Sequence, residues 1–383
     1  MPNSAPCLTF SPIIGPQHTM LGAHLRLHAC DVLPDVIVDA LEGLVPLWPT
    51  DSTILLFEFD GVPPSRWPAS FGIREHMLLM APSHALDMHS HALVQATAPN
   101  VCVRIRDLQD YRDVATKYLA ASHDEIADLQ HFASANRQES ILALDIDEPI
   151  DHTRATDAGA MATSGWSCSR WKRRSADIKV GMLSTILKLI QLIDRDADTA
   201  DIEATLRRDA VLSYKLVSMA NSAAYGVSFE VISIRHALNL IGRHKLKRWL
   251  SLLLLHSGGS DTPQVLLQLA FIRASLLERL GGEMSFDGDR DDLFLCGAFS
   301  LLDKILGIPL PELLGRISIS DGITDALVGD EGPLAPLLAV VRGVEARDPA
   351  FLRVQCEKLA IHPDIVGKAL LGSIAASREL AAG

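Results

Sequence analysis

The run from Leu206 to Leu255 constrains the fold most, because helix starts, helix stops and apolar spacing agree there. Asp209 is a residue type that caps helix N-termini, so a helix is predicted to begin at Ala210. Apolar residues then recur at helical spacing and predict one face turned toward a core. They are Val211, Leu212, Leu216 and Met219. The helix should end near Asn221, where small and turn-prone residues follow.

Two further helices are predicted in the same run. Ser233 offers a second N-cap, and it precedes a second apolar stripe made of Ile234, Ala237, Leu238 and Ile241. Gly242 stands where a helix C-terminus favours a residue with positive φ. The chain from His244 to Leu255 is first basic and then almost wholly apolar, which predicts a helix that enters a core. The run therefore predicts a compact bundle of short helices.

The same text carries a family resemblance. The run RDAVLSYKLVSMANSAAYG, followed by ISIRHALNLIG and KRWLSLLL, resembles the centre of an HDOD domain. That family is related to HD-type phosphohydrolases but has lost their metal-binding histidines and aspartates. Similar text continues through LAFIRASLLERLGG and LFLCGAFSLLDKILGIPLPELL. Ser300 and Leu301 stand where active HD enzymes carry their His-Asp pair, and neither side chain can replace those ligands. We therefore interpret this half as noncatalytic.

The first half alternates short β-like runs with helical ones, a pattern that predicts a mainly parallel sheet. A complete eightfold barrel needs ~250 residues, more than this region offers. We predict two domains: a truncated or degenerate (β/α) barrel-like domain at residues 1–172 and an all-helical HDOD-like domain at residues 173–383. The charged stretch from Ser169 to Lys179 is interpreted as the linker. Missing strands would expose sheet edges, so the helical domain or a second copy of the chain is expected to cover them.

The order of these runs resembles an EAL domain, a barrel family whose active members hydrolyse cyclic di-GMP with metal ions held by acidic residues. A degenerate EAL domain followed by an HDOD domain is a known arrangement. The opening text around Phe10 and Pro12 fits this resemblance. His24 stands where the metal-binding glutamate of the Glu-Ala-Leu motif is expected, two residues before Arg26. Glu58, in TILLFEFDG, takes the place of an asparagine that binds metal.

The resemblance implies further losses in the second part of the barrel. A single Asp107 stands where paired aspartates are expected, and Lys117 matches the family's lysine without the aspartate that follows it. Leu144 replaces the first glutamate of the next strand, and Asp147 conservatively replaces the second. Because two-metal cleavage needs several carboxylates around ions ~3.5–4 Å apart, the resemblance implies a barrel that does not hydrolyse. No cofactor and no bound metal are expected.

A basic cluster is the strongest candidate for a contact surface. Its members are Arg243, His244, Lys245, Lys247 and Arg248. It can be a docking patch for an acidic partner or a nucleotide phosphate, or simply a solvated helix face. The chain carries a formal net charge of −12, which argues against nucleic acid and an anionic membrane as partners.

The compartment is predicted from the first residues and the cysteines. Met1 to Gly22 lacks a basic start followed by an apolar stretch, so no export segment is expected. Six cysteines lie far apart without a CxxC pair, which predicts reduced structural thiols. We expect a cytoplasmic protein.

The favoured hypothesis is a noncatalytic signalling protein that binds other signalling proteins in a bacterial cyclic di-GMP pathway. What the resemblance implies as output is control of motility, virulence or biofilm behaviour. Two alternatives stay open. One is a cyclic di-GMP receptor without hydrolysis that uses Arg26 or a neighbouring residue. The other is a phosphodiesterase with an atypical ligand set, namely His24, Glu58, Asp107 and Asp147.

Overall fold

The computed structural model describes residues 7–28, 54–60, 77–82, 101–105, 118–122, 140–171, 180–221, 231–256, 263–284, 286, 288, 290–316 and 319–382. The chain forms two compact units. The first comprises Met1–Trp171, Pro263–Ile272 and Ala339–Gly383, and the second comprises Lys172–Thr262 and Arg273–Leu338. The predicted boundary between residues 172 and 173 stays a prediction, and the last part of the chain groups with the strands.

Eight strands form a closed barrel in the first unit. They are β1 (Cys7–Ile14), β2 (Met20–His28), β3 (Ile54–Asp60), β4 (Met77–Pro82), β5 (Val101–Ile105), β6 (Tyr118–Ser122), β7 (Ser140–Leu144) and β8 (Ala162–Ser164). Strand β1 runs antiparallel to both of its neighbours, and all other pairs are parallel. The predicted barrel-like domain is confirmed.

The barrel closes between its first and last strands. Ile13 of β1 pairs with Ser164 of β8, and Ile14 pairs with Thr163. The expected missing strands and free sheet edges are therefore absent among the described strands. Docking of the helical domain or of a second copy stays a prediction. Short connections between strands account for the small number of residues; for example, only residues 106–117 join β5 to β6.

Apolar side chains from the strands fill the barrel interior. The buried cluster consists of Ile13, Leu56, Leu78, Met80, Cys102, Ala120, Leu142, Leu144 and Ala162. Because side chains alternate between the two faces of a strand, these positions define which residues of β1 and of β3 to β8 point inward. Gly22 of β2 lies so close to β3 that a Cβ there would approach the carbonyl oxygen of Ile54 to 1.9 Å.

Helices complete the first unit. Helix α1 (Pro149–Asp157) joins β7 to β8, and a 3-10 turn (Ser167–Arg170) follows β8. Near the end of the chain, α12 (Ala335–Glu345) leads to α13 (Pro349–Lys358) and α14 (Pro363–Ala382). Both α13 and α14 pack against β1. The part from Ala339 to Gly383, hereafter the C-terminal segment, therefore belongs to the wall of the barrel.

The second unit is helical, as predicted. Its elements are α2 (Val180–Asp194), α3 (Thr199–Leu206), α4 (Ala210–Ala220), α5 (Ile234–Ile241), α6 (Arg243–His256), the later part of α7 (Gln264–Glu283), α8 (Arg290–Phe299), α9 (Leu302–Leu306), α10 (Leu310–Arg316), α11 (Asp321–Thr324) and a π-turn (Asp325–Gly329). Several of their ends were predicted correctly. Asp209 accepts from the backbone N–H groups of Val211 and Leu212, Ser233 accepts from that of His236, and Gly242 has φ 74°.

Two details of the helical prediction were wrong. Val211 was placed on the core face of α4, yet 58% of its surface is exposed, whereas Leu212 and Leu216 are fully buried. The apolar spacing from Leu293 to Leu306 predicts a single helix, but the helix is interrupted between α8 and α9 at residues 300–301. The sequence pattern also predicts helices at residues 31–44 and 125–136, and both lie outside the described residues.

Among the described helices, none alone combines the length and hydropathy needed to cross a membrane. Helix α13 and residues 363–377 of α14 pass that test only as a pair bent by 107°.

Five of the six cysteines fall within the described residues, and all five are buried and unbridged. The sixth, Cys30, lies outside them.

Candidate functional site at the barrel mouth

Polar side chains form the next layer above the apolar interior. Glu58 lies two residues after Leu56, Arg104 two after Cys102, and Ser164 two after Ala162. Because side chains on a strand alternate with period two, these groups continue the inward-facing rows toward the carboxyl ends of the parallel strands. That end of a (β/α) barrel is where ligand-binding residues collect.

His24 is the deepest of these groups and is fully buried. Its Nδ1 lies 2.9 Å from Oγ of Ser164, and its Nε2 lies 3.2 Å from Oε2 of Glu58. A carboxylate can only accept, so the hydrogen belongs on Nε2 and the Ser164 hydroxyl donates to Nδ1. His24 is thereby fixed in one tautomer between two strands.

The two ionisable groups have shifted pKa values. Burial, followed by the positive charge of Arg26, lowers the pKa of His24 to about 4, although Glu58 and Asp145 oppose the shift. Burial opposes ionisation of Glu58, but its contacts with His24 and with Arg26 hold its pKa well below the ordinary value. Near pH 7, therefore, His24 is neutral and Glu58 is a carboxylate.

Two arginines bind the carboxylates of this layer. Arg26 donates from Nε to Oε2 of Glu58 and from Nη2 to Oδ1 of Asp145, each at 2.7 Å. Arg104 donates to Oε1 of Glu58 at 3.2 Å and to Oδ2 of Asp145 at 3.5 Å. Asp145 follows directly after β7 and has φ 59°, a left-handed conformation that costs about 1 kcal/mol or more outside glycine.

A third arginine comes from the C-terminal segment. Helix α12 ends at Glu345, and Arg347 follows with φ 56°. Asp348 then caps α13 by accepting from the backbone N–H groups of Ala350 and Phe351, with Pro349 in the first turn. Asp and Pro favour these two positions, so the sequence itself produces the tight turn that presents Arg347.

Arg347 joins two aspartates at the mouth. Its Nη1 donates to Oδ1 of Asp145 at 2.7 Å, and its Nη2 donates to Oδ2 of Asp147. Asp147 is held from its other side, because its Oδ1 accepts the backbone N–H of Trp166 at 2.9 Å. The resulting mouth network contains three cations and three anions, and it is balanced in charge. Its members are Arg26, Glu58, Arg104, Asp145, Asp147 and Arg347.

These residues do not fit the two metal ions that the EAL resemblance implies. Oxygens of all three carboxylates already accept from guanidinium groups. The imidazole of His24 has Nδ1 on Ser164 and Nε2 3.2 Å from Glu58. Within the described part of the chain, no group of three or more His, Cys, Asp or Glu is arranged to hold a metal ion. Three arginines would also repel a divalent cation.

The structure brings together some of the predicted positions. His24, Glu58 and Asp147 all belong to the mouth, whereas Leu144 is fully buried in the apolar interior. Asp107 and Lys117 lie outside the described residues.

Sequence reasoning missed three members of the mouth network: Arg104, Asp145 and Arg347. The period of β5 could have pointed to Arg104, which continues an inward-facing row. The period of β7 could not have pointed to Asp145, which directly follows the inward-facing Leu144. The Asp-Pro turn predicts only that Arg347 sits at a helix boundary, not what it contacts.

In the helical unit, Ser300 and Leu301, the residues that the resemblance places at the His-Asp position of HD enzymes, make structural contacts. Ser300 Oγ donates to the carbonyl oxygen of Gly297 at 2.6 Å and accepts from Nη1 of Arg273 at 3.0 Å. Leu301 is buried. Asn221 likewise bonds the backbone of Val231 through both ends of its amide, at 2.7 and 2.8 Å. The predicted end of the helix near Asn221 is confirmed, since α4 ends at Ala220.

The basic cluster at the start of α6 is largely paired with carboxylates. Arg243 lies 3.1 Å from Asp196, His244 2.7 Å from Asp291, and Arg248 2.6 Å from Glu278. A separate pair of acids holds Lys247, which is 8% exposed: Asp194 at 2.8 Å and Asp292 at 3.5 Å. Lys245 is exposed. The docking role of this cluster stays a prediction, with much of its charge already compensated.

A comparison with protein families finds a match in the helical half of the chain. The HDOD domain family model matches residues 181–305. "Cyclic di-GMP phosphodiesterase CdgJ" of Vibrio cholerae is 29% identical over 176 residues, which are 46% of this chain and 41% of that protein. "Uncharacterized protein YuxH" of Bacillus subtilis is 25% identical over 211 residues, 54% of this chain and 51% of that protein. The matches thus span about half the length of these relatives.

Among solved structures, an HDOD domain protein from Geobacter sulfurreducens is 15% identical. That match covers 51% of this chain and 89% of the other, with a TM-score of 0.34. The family match rests on the sequence of the helical half, where Ser300 and Asn221 have the structural contacts described above. Residues 181–305 of this chain are an HDOD domain.

Proposed function

We propose that this chain is a noncatalytic regulatory protein of bacterial cyclic di-GMP signalling that acts by binding other signalling proteins. One observation carries the proposal. Asp145, at the carboxyl end of β7, accepts from three guanidinium groups: those of Arg26 and Arg347 at 2.7 Å and that of Arg104 at 3.5 Å. Arginine side chains thus lie beside the carboxylates, where a hydrolytic site would need metal ions.

The chemistry of guanidinium supports a role without turnover. Metal-assisted cleavage needs a cation that binds water and lowers its pKa, so that hydroxide forms near pH 7. Guanidinium donates hydrogen bonds, accepts none and stays protonated, so it can bind phosphate but cannot generate the nucleophile. His24, whose pKa is lowered to about 4, is neutral and held by Ser164.

The pathway is proposed from the relatives. The match to a protein named as a cyclic di-GMP phosphodiesterase supports a link to that nucleotide, and the HDOD domain supports a signalling role. We propose the cytoplasm as the location and control of motility, virulence or biofilm formation as the output.

A cyclic di-GMP receptor without hydrolysis is the second candidate. Three guanidinium groups at one mouth favour it, because the planar fork of arginine matches phosphate oxygens. Binding would require the phosphates to compete with the carboxylates of the mouth network. A phosphodiesterase with an atypical metal site would require the arginines to leave as well, so it ranks third.

The test is calorimetric titration of the full chain with cyclic di-GMP, with and without magnesium, followed by chromatography of the same sample. Binding without linear or monomeric product would support the receptor, and metal-dependent product would refute the noncatalytic role. If the sample shows neither binding nor product, the partner-binding role is favoured.

A matched pair of variants sharpens the titration. Arg104→Ala should weaken receptor binding at least tenfold, whereas Arg154→Ala, an exposed arginine of α1 that pairs with Asp151, should not. For partner binding, charge reversal at Lys245 tests the basic cluster, because this exposed residue can change sign while the buried Lys247 keeps its ion pairs.

A further inference from the structure

The oxygens of Asp145 and Asp147 have an unusually complete set of partners. Oδ1 of Asp145 accepts from Arg26 and Arg347, and its Oδ2 accepts from Arg104. Oδ1 of Asp147 accepts the backbone N–H of Trp166, which leaves its Oδ2 for Arg347. The two aspartates therefore present one oxygen each to a single incoming group.

The geometry of that group is specific. Arg347 uses its two terminal nitrogens on oxygens of two different carboxylates. A planar fork with fixed spacing makes such a bridge, whereas an ammonium group is a point donor on a flexible stem. The pair of aspartates is thus shaped for guanidinium.

The contact between Arg347 and the two aspartates is partly exposed, and it holds two residues in a strained backbone conformation. The Arg347 side chain is 21% exposed, and those of both aspartates are 38% exposed. Asp145 and Arg347 both adopt positive φ, near 59° and 56°. Because strained backbone persists only where its surroundings hold it, loss of the bridge is expected to loosen the turn between α12 and α13.

We propose that Asp145 and Asp147 form a guanidinium-binding site, and that Arg347 fills it as a releasable ligand supplied by the chain itself. When Arg347 withdraws, Glu58, Asp145 and Asp147 face only Arg26 and Arg104, so the mouth gains net negative charge and again favours a monocation with the same fork. The C-terminal segment is then a latch on the barrel mouth.

The experiment is chemical rescue of the Arg347→Ala variant in the full chain, with hydrogen–deuterium exchange of residues 346–358 as the readout. Exchange there should speed up at least tenfold in the variant. Methylguanidinium at 10 mM should restore most of the protection, methylammonium at 10 mM should not, and neither should change the wild type. Rescue should disappear when Asp145→Asn is added.

Two further variants keep the test decisive. Arg347→Lys retains the charge without the fork, so its exchange should be intermediate, and it serves if Arg347→Ala does not fold. Arg154→Ala should leave residues 346–358 unchanged. Unchanged exchange in both Arg347 variants, or equal rescue by methylguanidinium and methylammonium, would overturn the proposal. Because the probe is a monocation, that failure is distinguishable from a lack of nucleotide binding.

Discussion

Asp145 and Arg347 lie 202 residues apart in the sequence and meet through a 2.7 Å hydrogen bond between Oδ1 and Nη1. Both residues have a left-handed backbone conformation. The first follows the last long strand of the barrel, and the second lies in the turn before α13. This pair therefore ties the C-terminal segment to the mouth by side-chain chemistry, in addition to the packing of α13 and α14 on β1.

A double-mutant cycle should detect this tie. Arg347→Ala and Asp145→Ala should each destabilise the chain, and the double variant should lose less than the sum of the two. We expect a coupling energy of about 1–2 kcal/mol, because partly exposed ion pairs that share a network couple in that range. The measurement is the free energy of unfolding in urea, with amide exchange in α13 as the probe.

An additive double variant would mean that the pair contributes little beyond its two backbones. Arg154 and Asp151 of α1, with nitrogen and oxygen 3.4 Å apart and with the arginine 69% exposed, supply the comparison cycle. Their coupling should be below about 0.5 kcal/mol, because solvent screens exposed pairs.

The sequence predicted what depends on local signals. Asp209, Ser233 and Gly242 mark helix ends by short-range hydrogen bonding and by positive φ, and all three occupy the predicted positions. The alternation of apolar residues predicted strands, and the barrel followed from their order. Val211 was misplaced because periodicity identifies an apolar stripe but not which of its edges meets a neighbour.

Closure of the barrel and assembly of the mouth depended on distant contacts. Two residue pairs between β1 and β8 close the sheet, and no local pattern at Ile13 or Ile14 announces them. The EAL resemblance predicts that His24, Glu58 and Asp147 are altered positions, and this stays a prediction. It carries no information about Arg347, which lies outside the barrel text. The contacts of Arg26 and Arg347 with Glu58, Asp145 and Asp147 could be inferred only from the folded geometry.

Acid should weaken the barrel before its carboxylates titrate. Burial lowers the pKa of both His24 and His152 to about 4, with help from Arg26 and from His18 respectively. A buried neutral histidine contributes stability that is fully present above its unfolded pKa of ~6.5 and is lost as pH falls toward the folded value. From pH 7 to 5, we expect a loss of about 2 kcal/mol per histidine.

The two histidines have different surroundings, which allows a matched variant. His24 faces Arg26, Glu58, Asp145 and Ser164, whereas His152 contacts Thr163 and the ring of His18. His152→Gln should reduce the loss between pH 7 and 5 by roughly half, since glutamine does not titrate. Denaturation curves at pH 7, 6 and 5 measure it. A free energy of unfolding that stays constant over this range would contradict the assignment of neutral histidines.

A buried glycine should control packing within the HDOD domain. A Cβ on Gly297 of α8 would approach the backbone of Ala274 in α7 to 2.5 Å. Gly297→Ala should therefore destabilise by about 3 kcal/mol, because backbone cannot yield as a flexible side chain does. Gly315→Ala in α10 meets nothing within 4 Å and should stabilise by up to ~1 kcal/mol through helix propensity. Thermal unfolding of both variants separates crowding from propensity, and equal effects would refute the close approach.

Lys247 and Lys245 should separate stability from binding in the basic cluster. Burial opposes the charge of Lys247, but its hydrogen bond to Asp194 and the charge of Asp292 raise its pKa. Lys247→Met leaves both carboxylates without this partner, so it should cost about 2 kcal/mol of unfolding free energy. Lys245→Met, at an exposed position of the same helix, should change stability by less than about 0.5 kcal/mol.

Denaturant titration of the two variants tests this difference, and charge reversal extends it to function. If the cluster docks an acidic partner, Lys245→Glu should abolish the complex while the unfolding midpoint stays near that of the wild type. If it is a solvated helix face, the same variant should bind as before. A loss of stability in Lys245→Glu as large as in Lys247→Met would show that both lysines serve the fold, because a substitution at an exposed surface position ordinarily costs little.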